Sequence, residues 1–157
     1  MKAIKRLFFG AFCLMLCSCG PKIVFEETVG FENEVWAYGD SLSFEFSIQD
    51  TSKQYDLMVD IGHNARFPYQ NLYSTISTIY PDAKRMDQIL SFEMAEKTGR
   101  WYGKCKDETC KLTVPLQASV RFDQVGDYVI GFEQFSRKDS LWGFRDFTLR
   151  LTESIVK

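Results

Sequence analysis

The stretch Ser41-Leu42-Ser43-Phe44-Glu45-Phe46-Ser47-Ile48-Gln49 decides the fold class. Leu42, Phe44, Phe46 and Ile48 fall at every second position, with small or polar residues between them. Side chains alternate faces along a strand, so this is a half-buried strand and not a helix. The pattern returns in Tyr55, Leu57, Val59 and Ile61 against Asp56, Met58, Asp60 and Gly62. Asp50-Thr51-Ser52-Lys53 between the two runs reads as a hairpin loop. Further strands are expected over 72–80 (stopped by Pro81-Asp82), 89–94, 101–104, 116–122, 128–135 and 147–152. No segment of ten or more residues carries a helical period. Many short strands at near-regular spacing predict an all-β, antiparallel β-sandwich of Ig-like or jelly-roll-like type, with a closed barrel as the alternative. Most aromatics in these runs are expected to pack in the core.

The first 18 residues have a different character. Lys2, Lys5 and Arg6 precede ten mostly apolar residues, Leu7 to Leu16. Ten helical residues span about 15 Å, half of a bilayer's hydrocarbon core, which fits an export signal and not a spanning helix. Of the three cysteines there, Cys13 follows Phe12 and Cys17 follows Leu16, whereas Cys19 follows the small Ser18. Leu16-Cys17-Ser18-Cys19 resembles the lipobox of bacterial lipoproteins. That resemblance implies cleavage after residue 18 and acylation of Cys19, with 19–24 as a lipidated tether and 25–157 as a single β-sandwich domain. Two or more acyl chains hold a protein on a membrane firmly, where one is marginal.

Removing the signal leaves roughly 140 residues, enough for one domain with its own core. It also moves the net charge from −2 to about −5. A mildly acidic chain without basic runs argues against nucleic acid as a partner. The remaining cysteines, Cys105 and Cys110, sit in an exported domain, where a structural disulfide is expected; free thiols are the alternative. A metal or redox role lacks further ligands and the Cys-x-x-Cys setting.

Two segments carry a family resemblance. His63-Asn64-Ala65-Arg66-Phe67-Pro68-Tyr69-Gln70-Asn71-Leu72-Tyr73 resembles the N-x-x-x-YPY-x-NL-Φ stretch of the Bacteroidetes gliding-motility lipoprotein family GldH. The run Phe122, Gly126, Tyr128, Glu133-Gln134, Arg137, Leu141, Gly143, Asp146, Leu149 and Arg150 is similar to that family's C-terminal pattern. Met94-Ala95 and Gly99-Arg100-Trp101-Tyr102-Gly103 match the region between. The Cys105–Cys110 loop is not part of that pattern, and Trp142-Gly143-Phe144 replaces its usual small-residue turn. The resemblance implies an envelope lipoprotein associated with the gliding and type IX secretion machinery, without catalytic residues or cofactors. Family members also occur in non-gliding bacteria. Outer-membrane anchorage facing the periplasm is expected, because no acidic run follows Cys19.

The residues themselves offer little for catalysis. The one histidine, His63, ends a predicted strand beside Asn64 and is expected in a surface or turn role. Asp60, three residues away, lies on the opposite face. Asp56 and Asp60 share a face, which a carboxylate pair needs but a solvated face also provides. No zinc-binding or phosphate-binding motif is present, and no metal ligands are assigned. Binding is the better class. Phe67-Pro68-Tyr69 and Trp142-Gly143-Phe144 fall in predicted loops, where exposed aromatics serve as protein-interface anchors or stack on sugars. Packing back over an end of the sandwich is the first expectation for these aromatics, ahead of a protein interface and then of sugar stacking. The expected role is a non-enzymatic part of an envelope assembly acting through protein contacts, with a carbohydrate- or ligand-binding module as the alternative.

Overall fold

The computed structural model describes residues 20–155; the signal segment and Cys19 lie outside them. Eleven strands are formed: β1 (Ile23–Gly30), β2 (Val35–Ala37), β3 (Ser41–Ile48), β4 (Tyr55–Asn64), β5 (Asn71–Ile79), β6 (Arg85–Glu93), β7 (Lys104–Lys106), β8 (Thr109–Val120), β9 (Gly126–Gln134), β10 (Ser140–Trp142) and β11 (Phe144–Glu153). They build a five-stranded sheet ordered β1-β11-β4-β8-β7 and a four-stranded sheet ordered β3-β9-β5-β6, with β2 and β10 as a two-stranded flap. The pairings are antiparallel. Two separate sheets make this a sandwich and not a barrel.

The alternating runs explain the core. Phe44, Phe46 and Ile48 of β3 and Tyr128, Ile130 and Phe132 of β9 face Val59 and Ile61 of β4 and Phe147, Leu149 and Leu151 of β11, all buried. Phe147 bridges the sheets, its ring 4.7 Å from Phe132 and 6.2 Å from Phe44. Phe25 of β1 meets Phe46 at 5.6 Å and closes one flank.

The loop at 50–53 departs from the sequence expectation. β3 pairs with β9, and β4 pairs with β11 and β8, so the loop is a crossover between sheets and not a hairpin. Both flanking strands bury a full apolar face, and placing them in opposite sheets turns those faces toward each other. Ile23 and Val24 already belong to β1. Trp101 forms only an isolated bridge with Ala95.

The topology also separates two ends. Ile23, Ile48, Tyr55, Val120, Gly126 and Glu153 gather at the end where the chain enters. There Lys22 and Lys53 hold the Glu153 carboxylate at 2.9 and 2.7 Å. Gly30, Asn64, Asn71, Thr109 and Gln134 mark the opposite, distal end. A nine-residue strand such as β9 separates the two by roughly 30 Å.

Candidate interaction surface

Asn64 organises the distal end. Its side chain accepts the Arg66 N–H at 2.9 Å and donates to the Glu34 carboxylate at 3.1 Å. Its backbone N–H donates to Gly143 and its carbonyl accepts from Phe67. The loop after β4 is thereby folded inward. Phe67 is buried against Phe144 (4.9 Å), His63 (5.9 Å) and Trp101 (6.3 Å). Trp101 donates its indole N–H to the Ala65 carbonyl at 3.1 Å. Gly143, at φ +102°, lies so close that a Cβ there would stand 3.2 Å from the Phe67 ring. The glycine of the Leu141-Trp142-Gly143 run is therefore required by both backbone and packing.

For two of the candidates this supports the capping reading and rules out the interaction-loop one. Phe67 and Phe144 are not exposed loop aromatics; they plug the distal end of the core, and Phe144 begins β11. Pro68, Tyr69 and Trp142 are exposed. Trp142 points outward from the β2–β10 flap, opposite Val35.

Tyr69 lines a groove of about 570 Å³ together with Asn71, Tyr73, Phe135, Ser136, Arg137 and Lys138, floored by Leu72 and Leu141. Tyr69, Tyr73 and Phe135 are 37%, 47% and 50% exposed, so three aromatic rings surround an open concavity. Tyr73 and Phe135 stand side by side on the outer face of the four-stranded sheet, joined by the Phe135 N–H donating to Tyr73 O at 2.8 Å. Buried Gln134 braces the following loop: it accepts the Ser136 N–H and donates to the Lys138 carbonyl, both at 3.1 Å. Among the described residues neither Arg137 nor Lys138 has a carboxylate partner. A rigid aromatic concavity beside two free cations suits an apolar or aromatic anchor carried on an acidic segment.

Sequence reasoning does not single out Tyr73 and Phe135, because both fall inside the strands expected over 72–80 and 128–135; in the structure Phe135 lies just past the end of β9. The signal was present: Tyr73 alternates with Leu72 and Ser74, and Phe135 with Gln134, which places both on the outward face.

The titratable residues take structural roles. His63 is fully buried, contrary to the surface or turn expectation. Its Nδ1 lies 3.0 Å from the Asn64 carbonyl and so carries the proton, while Nε2 has no partner among the described residues. Trp101 covers the ring at 4.6 Å. Burial holds its pKa below the ordinary imidazole value. Asp60 is also buried rather than solvated: Arg150 bonds its carboxylate, Thr113 donates to it, and Lys111 stands at 3.5 Å. Those neighbours cover the outer face of the sheet. No three acidic, histidine or cysteine side chains converge to hold a metal among the described residues.

Cys105 and Cys110 stand opposite one another across the β7–β8 hairpin with their sulfurs at bonding distance. The hairpin tip buttresses the plug loop, as the Glu108 carbonyl accepts the Ala65 N–H at 2.8 Å.

Comparison with known proteins follows the same residues. The family model described as GldH lipoprotein matches residues 23–151. A gliding motility lipoprotein GldH homolog of Christiangramia forsetii is 26% identical, the alignment covering 98% of this chain and 99% of the relative. The gliding motility lipoprotein GldH of Flavobacterium johnsoniae is 24% identical over 89% of this chain and 91% of its own length. Among solved structures, a family GH115 4-O-methyl-alpha-glucuronidase with specificity for decorated arabinogalactans is 14% identical, covering 87% of this chain and 18% of its own, at a TM-score of 0.41. A likeness that distant carries no inference.

Proposed function

The chain belongs to the GldH lipoprotein family, and on that footing we propose that it captures another envelope protein through the distal groove. Membership makes it a non-enzymatic envelope lipoprotein. The finer reading is a chain anchored through lipidated Cys19, on the periplasmic side of the outer membrane, serving a gliding- or type IX secretion-related assembly. Cys105 and Cys110 act in it as a disulfide staple for the hairpin behind the plug.

One observation carries the binding reading: exposed Tyr69, Tyr73 and Phe135 converge beside Arg137 and Lys138 at the end farthest from the tether. Aromatic anchors in a preformed pocket supply most of the energy of a typical protein interface, and flanking charges select the partner.

The test is a crosslinking pull-down of the tagged, lipidated chain from its native envelope, alongside Tyr73→Ala/Phe135→Ala and Cys19→Ala variants. Recovery of motility or secretion components, reduced at least tenfold in the double variant and weakened in the anchor variant, is the expected result. Equal recovery from the double variant overturns the groove as the capture site. Aromatic faces also stack on sugars; polysaccharide binding by the purified chain alone, lost in the double variant, favours the ligand-binding alternative.

A further inference from the structure

β6 is an edge strand whose outward row is guarded only by side-chain charge, Arg85, Asp87 and Glu93, with Arg85 2.8 Å from Asp87. It pairs with β5 over all nine residues, Asn71↔Glu93 to Ile79↔Arg85, without a register shift. Among the described residues no other strand pairs with it. Exposed edges invite pairing with another chain, and proteins blunt them with charged side chains (lysine above all), proline, bulges or covering segments. The other edges differ from β6 in length, regularity or neighbours. β1 and β3 meet through Phe25 and Phe46. β7 has three residues. The part of β8 that extends past β7 contains Pro115, a left-handed Ser119 (φ 52°) and irregular register with β4. β6 has no proline, glycine, lysine, bulge or positive φ, and it exposes Ile89 (54%) and Met86 (44%).

The sequence of β6 says which strand fits. Its outward face reads Arg85, Asp87, Ile89, Ser91, Glu93, and this row is complementary to itself when reversed. Antiparallel pairing centred on Ile89 puts Ile89 against Ile89 of a second copy, Asp87 against Ser91, and Arg85 against Glu93 at both ends. Sliding the copies by one side-chain repeat in one direction sets Asp87 against Glu93, a like-charge pair. Sliding the other way sets Arg85 against Ser91 and Asp87 against Ile89, losing both ion pairs. Opposite charges directly across a ladder stabilise it and like charges oppose it, so one register is selected. On the inner face the same register aligns Gln88 with Leu90 and Met86 with Phe92, extending the apolar rim that Met86 and Leu90 share with Leu116 and Val120 of β8.

We infer that the protein pairs with a second copy of itself through antiparallel β6 edges, in the register centred on Ile89, joining two four-stranded sheets into one of eight. This inference rests on the sheet edge and is independent of the groove. The pairing is isologous, with its two-fold axis perpendicular to the sheet. The tethers therefore leave at opposite ends, and two Cys19 anchors reach one membrane with the strands lying along its plane. Confinement to that membrane raises the effective concentration, so a weak edge contact suffices.

Ile89 on the axis meets its own copy, whereas Arg85 lies about 26 Å from the other Arg85, eight residues along the ladder. The full lipidated chain is therefore oxidised in its native envelope as Ile89→Cys and, separately, Arg85→Cys, with the unsubstituted chain as background. Both sites are exposed and tolerate cysteine. A disulfide-linked dimer from Ile89→Cys, at least tenfold above Arg85→Cys, is expected. Adding Arg85→Glu to Ile89→Cys lowers the dimer several-fold, and adding Glu93→Arg to that restores it. A monomer from Ile89→Cys, a crosslink to a different protein, equal dimer from Arg85→Cys, or no rescue by the charge swap each overturns the inference.

Discussion

Phe67→Ala is the substitution that tests the distal plug. Phe67 is 4% exposed, and its ring touches Phe144, His63 and Trp101. Truncating a buried phenylalanine to alanine costs about 3–5 kcal/mol, more where the surroundings cannot collapse. Here one wall is backbone at Gly143 and two others are large rings held by their own contacts, but the loop carrying Phe67 lies at the domain's end and can partly settle. A cost of about 3–4 kcal/mol follows. With about 2.1 cal/mol/K of unfolding entropy per residue over residues 20–155, that corresponds to a Tm lowered by about 10–14 °C. A domain of this size is stable by roughly 7–20 kcal/mol, so the variant still folds at room temperature. Thermal unfolding followed by circular dichroism measures it, with Tyr69→Ala as comparison. Tyr69 is 37% exposed and packs on Phe67 from one side at 5.6 Å, so its loss costs about 1 kcal/mol. The expected pattern is asymmetric: Phe67→Ala lowers Tm by about 10–14 °C and keeps partner capture at low temperature, while Tyr69→Ala lowers Tm by only about 3–4 °C and weakens capture. A Tm within about 3 °C of the parent for Phe67→Ala refutes the plug, since it corresponds to less than about 1 kcal/mol.

Acid should weaken the fold through His63 before the carboxylates respond. Its folded pKa is depressed by burial, so the unfolded chain binds the proton first and stability is lost as pH falls from about 6.5 through the folded value. Melting temperatures between pH 7.5 and 5.5 should decline for the parent and flatten for His63→Gln; equal slopes would refute the assignment. Asp60→Ala strands Arg150, which is 31% exposed and retains Glu26 at 3.5 Å. The loss is about 2–3 kcal/mol, below the 3–5 for a fully buried pair, and urea denaturation giving under about 0.5 kcal/mol, the range of a surface pair, would contradict it. Cys105→Ser/Cys110→Ser opens a short loop and should cost about 2 kcal/mol on the chain-entropy account. An unchanged Tm of the parent on adding reductant would instead mean that the thiols are free.

How much of this was readable from the sequence follows from what alternation encodes. Period two assigns a face to each residue of β3, β4, β9 and β11, and those faces form the core. It does not encode which strand lies beside which, so the loop at 50–53 looked like a hairpin although β3 and β4 belong to different sheets. β2 and β10, three residues each, are too short to show a period. Loop membership alone leaves Phe67 and Phe144 open to either capping the core or facing a partner. Their burial depends on Asn64, Glu34 and Gly143 meeting from three segments, which no local pattern reveals. Asp60 was hidden for the same reason, its Arg150 partner lying 90 residues away. Of the groove, only Tyr69 is among the interaction-loop candidates the sequence offers, although Asn71, Leu72, Tyr73, Arg137 and Leu141 stand in the family motifs. Tyr73 and Phe135 were legible by face but were assigned to the core with the other strand aromatics.

The two proposed surfaces lie close enough to be confused, and the register shows how to separate them. Tyr73 stands opposite Ser91 of β6, and Ser91 meets Asp87 of the second copy in the Ile89-centred pairing. The groove thus begins one strand inside the dimer seam. Its remaining walls, Phe135, Arg137 and Lys138, come from the loop after β9, on the side of β5 away from β6. Pairing at the edge therefore leaves the groove open on the same outer face of the joined sheet. Tyr73→Ala/Phe135→Ala should abolish capture and leave the Ile89→Cys crosslink unchanged, because neither side chain reaches the seam. Arg85→Glu should reduce the crosslink and leave capture unchanged. Loss of both activities in either variant, with Tm preserved, would mean that the partner itself bridges the seam and that groove and edge form one surface. Loss of both together with a lowered Tm would report damage to β5, which alone touches both.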